Sequence, residues 1–452
     1  MLAKFAYNFK SFGVKNIRSS KIRKNIFFSL LLKGISILIS FILVPLTLNY
    51  LNTTEYGVWL TLSSILTWIN LFDIGLGNGL RNKLTEALTN EDMSKAKSLV
   101  STTFILLAII IMSLFACFAL ANPFLNWGSI LNTTVLESEK LSEIVLMVFG
   151  FFSLQFVFKT VGTIFVSMQK PSLNDLMITI GSLFSLIIIY ILTKTTKGSL
   201  TFVALTFSAS PAVIFIVSYF VVFYGKLRNI RPSLSSFKLS YGKELMGLGA
   251  QFFILQISGI IVYFTSNIII AQLFSPYEVT IYNIAYKYAN IISIASLIII
   301  TPLWSSSTEA YHLRDFIWFK KIEKKMLYIF SLLVLTSIVI CACAPLVYKL
   351  WIGKELQIPI SLNCVVILFN ILFSFSSIYI YMLNGIGKIR LQLYSSIIEI
   401  IFTIPVCIIL GKLLNIQGIV LGMTFMVFLR CIWAPIQFRK IITETASGIW
   451  NK

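Results

Sequence analysis

Charged residues and histidine are scarce in this chain of 452 residues. Only 12% of the residues are charged and one is histidine, whereas 57% are hydrophobic. A soluble domain carries about 25% charged residues, so the composition predicts a polytopic membrane protein rather than a domain with an aqueous surface. The single histidine, His312, falls in a predicted loop. Its position, together with the absence of Walker A, GxSxG and HExxH patterns, argues against ATP hydrolysis and against an enzyme.

Acidic residues are fewer than basic ones. The chain has 17 Asp and Glu against 37 Lys and Arg, a net charge of +20. In a soluble protein this excess would suggest a nucleic-acid partner, but here the basic residues lie in short segments between apolar runs, so no nucleic acid is expected. The six cysteines lie in or beside apolar runs without paired CxxC spacing, and we expect neither disulfides nor a metal site.

Twelve mainly apolar segments are long enough to be membrane helices. The first is too long for the apolar core of a signal peptide, so we expect it to remain as a helix. The connections on one face carry only Lys140, Lys194, Lys197, Lys349, Lys354 and Lys412, and the positive-inside rule therefore places both termini in the cytoplasm. The predicted segments are 26–49, 57–72, 98–121, 142–167, 175–193, 200–224, 245–272, 279–303, 326–348, 358–382, 392–410 and 417–437.

The chain contains a weak internal repeat. A shift of 223 positions places Glu55 on Glu278 and Asp92 on Asp315. Six helices per half predict an all-α fold of two lobes, related by a pseudo-two-fold axis along the membrane normal, which favours a solute carrier with its site between the lobes. The expected parts are a basic cytoplasmic tail (1–25), an N-lobe (26–225), a cytoplasmic linker (226–244), a C-lobe (245–437) and a cytoplasmic C-terminal tail (438–452).

Charged residues inside apolar helices are the strongest indication of a functional site. Each costs roughly 2.5 to 3.5 kcal/mol at a helix centre unless it is paired or hydrated. Arg430 lies near the predicted cytoplasmic end of its helix, and we interpret it as reaching the interface. Because lysines outnumber acids, the predicted cavity is cationic and its substrate anionic. The five residues are Lys33, Lys159, Lys287, Glu399 and Arg430.

Two of these residues admit alternatives. Lys287 lies among tyrosines, including Tyr286, where an ammonium could bind phosphate or carboxylate while the rings stack on sugars; an interfacial aromatic belt is the other interpretation. Glu399 is the only acid deep inside a predicted helix. It could carry a coupling proton or cation, or form an ion pair with Lys159.

A glycine-rich basic segment, FDIGLGNGLRNKLTEAL (72–88), interrupts the apolar pattern. Glycine and asparagine end helices at low cost, and we expect this segment to end the second helix at the cytoplasmic boundary. Consecutive backbone N–H groups beside Arg81 could form a phosphate-binding nest. A helix stop followed by positive-inside residues is the simpler interpretation from the chemistry alone.

Two stretches resemble a known family. EYGVWLTLSSILTWINLFDIGLGNGLRNKLTEAL (55–88) and YMLNGIGKIRLQLYSSIIEIIFTIP (381–405) resemble the bacterial polysaccharide flippases of the Wzx type, within the multidrug, oligosaccharidyl-lipid and polysaccharide exporter superfamily. The resemblance extends over all twelve predicted helices. It implies that an undecaprenyl-pyrophosphate-linked oligosaccharide repeat unit is moved across the bacterial cytoplasmic membrane by alternating access, for O-antigen or capsule assembly.

The resemblance also implies site residues and partners. It suggests coupling to a proton or sodium gradient without a bound cofactor or metal, and it allows cooperation with a polysaccharide polymerase and a chain-length regulator beside the membrane lipids. A multidrug exporter of the same superfamily and a membrane glycan polymerase or acyltransferase stay open as alternatives. The expected substrate-binding residues are Lys33, Asp73, Asn78, Arg81, Asn82, Lys159, Tyr286 and Lys287, with Glu399 for ion coupling.

Overall fold

The computed structural model describes residues 17–73, 75–353 and 356–451, and all regular secondary structure within them is helical. Helices suit a bilayer because each satisfies its own backbone hydrogen bonds where water is absent. The N-terminal half comprises α1 (Ile17–Tyr50), α2a (Thr53–Thr67), α2b (Leu76–Thr89), α3 (Met93–Ala121), α4a (Ser138–Phe158), α4b (Thr160–Ser167), α5 (Pro171–Thr195) and α6 (Leu200–Tyr224).

The C-terminal half follows the same order. Its last helical run, Arg390–Ile442, contains non-helical backbone at Leu414 and Asn415, so it forms two helices, α11 (390–413) and α12 (416–442). Counting α2, α4 and α8 as one crossing each, the described residues make the twelve predicted membrane crossings. The preceding helices are α7 (Leu239–Leu273), α8a (Pro276–Ala289), α8b (Ile291–Ile300), α8c (Leu303–His312), α9 (Phe316–Trp351) and α10 (Ile360–Ile386).

The glycine-rich segment ends one helix, as predicted, but it also begins another. A 3-10 turn (Trp68–Asp73) follows α2a, and Gly75 adopts a left-handed conformation with φ 78° at the start of α2b. Glycine takes this conformation without a steric penalty. α2b then continues the helical path for 14 residues beyond this turn.

The charged residues that coincide in the two halves lie at helix starts. Glu55 and Glu278 both occupy the third position of their helices, α2a and α8a. Asp92 and Asp315 each accept a hydrogen bond from a backbone N–H three residues later, and so cap α3 and α9. Each such cap is worth about 1 kcal/mol. The repeat therefore preserves the same helix-start chemistry in both lobes.

Small residues bring the lobes together. α2a packs on α7 and α8a, and α2b packs on the start of α7. A Cβ atom on Gly57 would collide with the carbonyl of Pro276, and one on Gly79 would collide with the backbone of Leu245. Helices in membranes approach closely at such positions because lipid supplies little hydrophobic force between them.

Hydrogen bonds close the lobes at one end of the bundle. Thr280 Oγ1 of α8a donates to the carbonyl of Thr53 at 2.7 Å. Asn267 Nδ2 of α7 donates to Ser64 Oγ of α2a, also at 2.7 Å. The end of α7 and the starts of α2a and α8a lie here. Under the topology predicted from loop charge, this is the outer end.

Candidate functional site

A cavity of about 330 Å³ lies in the N-lobe and reaches α7. Two cationic side chains, Arg81 of α2b and Lys159 between α4a and α4b, line it. No carboxylate belongs to the lining among the described residues, which do not include the Asp73 side chain. The polar lining is completed by Asn78, Thr160, Thr163, Asn174 and Gln256.

Two helix starts, those of α2b and α5, and the break between α4a and α4b border the cavity. α2b begins at Leu76, α4b at Thr160 and α5 at Pro171, and residues from the first turns of all three line it. The start of a helix carries a partial positive charge from the aligned peptide dipoles. Anions bind at such positions. Dipoles and side chains therefore give this cavity the same sign of potential.

Local sequence explains how these side chains converge. Asn78 and Arg81 are three residues apart on α2b and so share one face of it. The left-handed Gly75 sets the direction in which that helix leaves the 3-10 turn. Gly162 of α4b lies where a Cβ atom would collide with the Asn174 side chain. This close approach brings the start of α5 to the cavity wall.

The structure thus brings together Asn78, Arg81 and Lys159 from the predicted site. Asn82 is exposed on α2b outside the cavity lining. The backbone of Asp73 ends the 3-10 turn, but its side chain lies outside the described residues. The predicted phosphate-binding segment therefore contributes to a cavity through two of its four candidates.

Lys33 lies on α1, away from this cavity. Its side chain is exposed. Ser40 and Val44 follow it by 7 and 11 residues and therefore lie on the same helix face, and both contact the C-lobe. Lys33 consequently lies on the same face of α1 as these two residues.

Lys287 and Tyr286 lie at the closed end instead. Lys287 Nζ donates a hydrogen bond across the lobes to the carbonyl of Ser40 at 3.0 Å. The ring of Tyr286 contacts Tyr282 and Phe369, with centroid distances of 5.8 and 6.3 Å. In this conformation neither residue shares a cavity with Arg81.

Glu399 is buried in the C-lobe with 1% of its surface exposed. Its carboxylate accepts two bonds from the guanidinium of Arg430 and one from the hydroxyl of Ser258 on α7. Two interpretations are corrected: Arg430 does not reach the membrane interface, and the partner of Glu399 is Arg430 rather than Lys159. Buried charges pair because an isolated one is too costly to desolvate.

An ion pair joins the N-lobe to the start of α7. Lys83 Nζ lies 2.7 Å from a carboxylate oxygen of Glu244. This bond lowers the pKa of Glu244 and raises the pKa of Lys83, because it favours the charged form of each. The contact is therefore lost only as pH falls through the lowered carboxyl pKa or rises through the raised amine pKa.

Sequence reasoning missed Asn174 and Gln256. Both are uncharged amides, so the free-energy cost of placing them in a membrane helix does not distinguish them from other polar residues. Asn174 lies in the first turn of α5, and Gln256 lies inside α7. The only signal for Asn174 in the sequence was its position near a helix start and close to a basic residue.

Comparison with known sequences adds family information. The family described as polysaccharide biosynthesis protein matches residues 22–308. A protein named for O-antigen export in Yersinia pseudotuberculosis is 24% identical over 374 residues, covering 79% of this chain and 81% of that protein. A protein named for O-antigen transport in Salmonella typhi is 23% identical over 286 residues, covering 59% of this chain and 60% of that protein.

Solved structures share the fold. An inward-facing multidrug resistance MATE family transporter of the MOP superfamily gives a TM-score of 0.77 at 16% identity, over 93% of this chain and 100% of the other. An outward-facing one gives 0.65 at 18% identity, over 94% and 97%. At these identities the likeness concerns the fold alone. It confirms the predicted two-lobed, twelve-helix membrane architecture.

Proposed function

We infer the function from one premise: this chain belongs to the family of polysaccharide biosynthesis proteins. We propose that it is a transporter, not an enzyme, and that it moves an undecaprenyl-pyrophosphate-linked oligosaccharide repeat unit across the bacterial cytoplasmic membrane by alternating access. Both termini lie in the cytoplasm in this proposal. The repeat unit serves O-antigen or capsule assembly, where a polysaccharide polymerase and a chain-length regulator act on it. The relatives named for O-antigen export and transport support this substrate class.

One observation carries the proposal: the cationic side chains of Arg81 and Lys159 line the same cavity. Two opposite unit charges about 4 Å apart attract by roughly 4 kcal/mol at the effective dielectric near a protein surface. A pyrophosphate supplies the negative charge, and a guanidinium can bind two of its oxygens at once. The helix starts of α2b and α5 add to the same attraction.

The geometry supports a mechanism in which the headgroup enters from the cytoplasm. Arg81 and Lys159 bind the phosphates, while the amides and hydroxyls of the wall bind phosphate oxygens or sugar hydroxyls. Gln256 reaches the cavity from α7, which also contacts the C-lobe. Movement of α7 during rocking of the lobes therefore changes the cavity wall, and Lys33 on the cleft face of α1 provides a further positive charge along the path.

Removing the cavity cations tests the function. Arg81→Ala and Lys159→Ala should each reduce surface polysaccharide about 10-fold or more, because a hydrogen bond to a charged group is worth roughly 1.5 to 3 kcal/mol. Single lipid-linked repeats should accumulate on the inner leaflet. Arg81→Lys should retain part of the activity, since it keeps the charge but loses the bidentate geometry. Unchanged surface polysaccharide in both alanine variants at normal protein abundance would contradict the proposal.

The alternatives predict different results. A positively charged cavity lining would be unfavourable for a multidrug exporter of cationic compounds. Loss of such an exporter would sensitise cells to those compounds. A glycan polymerase would leave single repeats on the outer leaflet when its gene is deleted. Loss of the proposed transporter leaves them on the inner leaflet. Leaflet-specific detection of the lipid-linked repeat therefore separates the three.

A further inference from the structure

Pro45 removes a hydrogen-bond donor from α1 where this helix meets the C-lobe. Proline has no N–H, so the carbonyl four residues earlier, that of Phe41, has no donor within the helix. Inside a bilayer such a carbonyl needs another partner. Trp351, the last residue of α9, donates its Nε1–H to this carbonyl at 2.9 Å. The C-lobe thus supplies the bond that α1 lacks.

A second donor binds the neighbouring carbonyl. Lys287, in the last turn of α8a, donates to the carbonyl of Ser40 at 3.0 Å. A bond from an ammonium is stronger than one between neutral groups. Two C-lobe helices therefore hold adjacent carbonyls of one N-lobe helix.

Apolar contacts surround these two bonds. The ring of Phe41 packs against the ring of Trp351 with a centroid distance of 4.8 Å. One turn nearer the outer end, Val44 is 1% exposed and packs in a cluster with Ile284 and Tyr288 of α8a. These contacts partly shield the two bonds from water while the lobes touch.

Both acceptors are backbone carbonyls, which makes the contact reversible. If the lobes part at this end, water can form hydrogen bonds with the two carbonyls and with the Lys287 ammonium. The N-lobe contributes only neutral carbonyls, so no charge of that lobe loses a partner. Because bonds to water replace each of these hydrogen bonds on opening, each contributes only modestly to the free-energy difference between the closed and open states. Such a contact can bias the closed state without locking it.

We propose that Lys287 and Trp351 are positioning residues that keep the outer end closed by binding the two adjacent carbonyls of α1, one of which Pro45 leaves without a helical donor. The inference rests on the alternating access of the proposed function, but not on the identity of the substrate. It gives Lys287 a role in the conformational equilibrium that does not require contact with the headgroup.

Accessibility of Val44→Cys from outside tests the inference. The exposed cysteines Cys117, Cys343 and Cys364 are replaced by serine, and whole cells that make no lipid-linked repeat are treated with a membrane-impermeant maleimide. Labelling should be slow in this parent. Trp351→Phe, which keeps a ring but removes the donor, should raise the labelling rate about 3-fold or more, and Lys287→Met about 10-fold or more.

Matched variants separate the hydrogen bonds from general damage. Lys287→Arg keeps a charged donor and should leave labelling slow. Lys349→Met removes an exposed lysine of the same α9 helix and should have no effect. Pro45→Ala restores the helical donor for Phe41, so Trp351→Phe should raise labelling less in that background than in the parent.

Unchanged labelling in both Lys287→Met and Trp351→Phe, at normal abundance, overturns the inference. An equal increase in Lys349→Met or Lys287→Arg overturns it as well, because the effect would then not depend on the donors. The labelling needs no substrate, so its failure leaves the proposed function standing. Conversely, normal surface polysaccharide in the cavity variants would overturn the proposed function without affecting this result.

Discussion

At the scale of single residues, Glu399 and Arg430 form a charge pair inside the C-lobe. Either charge alone would be too costly to bury there. The carboxylate is 1% exposed and the guanidinium side chain 18%. The additional bond from Ser258 ties the pair to α7. For Glu399 to carry a coupling ion, the role expected from the sequence, Arg430 must first move away from its carboxylate.

Glu399→Gln should destabilise the protein strongly. It leaves the Arg430 charge buried without a counter-ion, which typically costs about 3 to 5 kcal/mol. The double variant Glu399→Leu with Arg430→Leu should recover much of this loss, because it removes both charges. Thermal unfolding in detergent measures the difference. A double variant less stable than Glu399→Gln would show that the pair does more than neutralise itself.

These residues show what the sequence could and could not reveal. The cost of a charge in an apolar helix is a local property, so Glu399 and Arg430 were recognised as unusual from the sequence. Which charges pair depends on how α11 and α12 pack, and the sequence carries no direct record of that. Lys159 was considered as a partner for Glu399 from the sequence, and the structure pairs Glu399 with Arg430 instead.

At the scale of elements, the break in α2 determines where Arg81 can act. Without Gly75 in the left-handed conformation, α2 would not restart in the direction that presents Asn78 and Arg81 to the cavity. Gly79, on the opposite side of the same short helix, lets α2b pack against the backbone of α7 at Leu245. One short helix thus carries Arg81 of the site and a contact between the lobes.

Gly79→Ala should destabilise the protein by about 1 to 3 kcal/mol, because the added methyl group has no space beside the α7 backbone. Gly34→Ala is the matched control. Nothing lies within 4 Å of the position that its Cβ would occupy, and alanine favours a helix by up to about 1 kcal/mol. Thermal unfolding in detergent compares them. Equal stability of the two variants would argue against the close contact.

The elements themselves were largely predictable, but their interruptions were not. Apolar length reveals a crossing because the bilayer has a fixed thickness. Apolar length does not reveal a break within a crossing. The sequence around Lys159 and Asn290, where α4 and α8 are interrupted, is apolar enough to predict a continuous helix. The glycine-rich segment was recognised as a special turn, yet its place within the crossing followed only from the continuation into α2b.

At the scale of the whole molecule, the two lobes meet through many weak polar contacts at the outer end. Several C-lobe side chains, including Thr280, Gln272 and Lys287, donate to backbone carbonyls of the N-lobe. In the alternating access proposed above, these contacts hold this end closed while the ligand binds from the cytoplasmic side. Release on the other side requires these contacts to separate.

Cross-linking the outer end should therefore stop transport. Ser64→Cys and Asn267→Cys place thiols where α2a and α7 share a 2.7 Å hydrogen bond. In the background without exposed cysteines, a short bifunctional methanethiosulfonate should join them, because the native side chains already touch. Surface polysaccharide should then fall to the level of the deletion strain and return after a reductant is added.

Single-cysteine variants treated with the same reagent should keep their transport, since nothing joins the lobes. Binding at the cytoplasmic side should survive the cross-link, because Arg81 and Lys159 lie in the N-lobe cavity. The cross-linked protein should therefore be purified with the lipid-linked repeat bound. The cross-linked protein that also carries Arg81→Ala should be purified without it. If cross-linked cells displayed normal surface polysaccharide, the outer contacts would not need to open and alternating access between these lobes would be refuted.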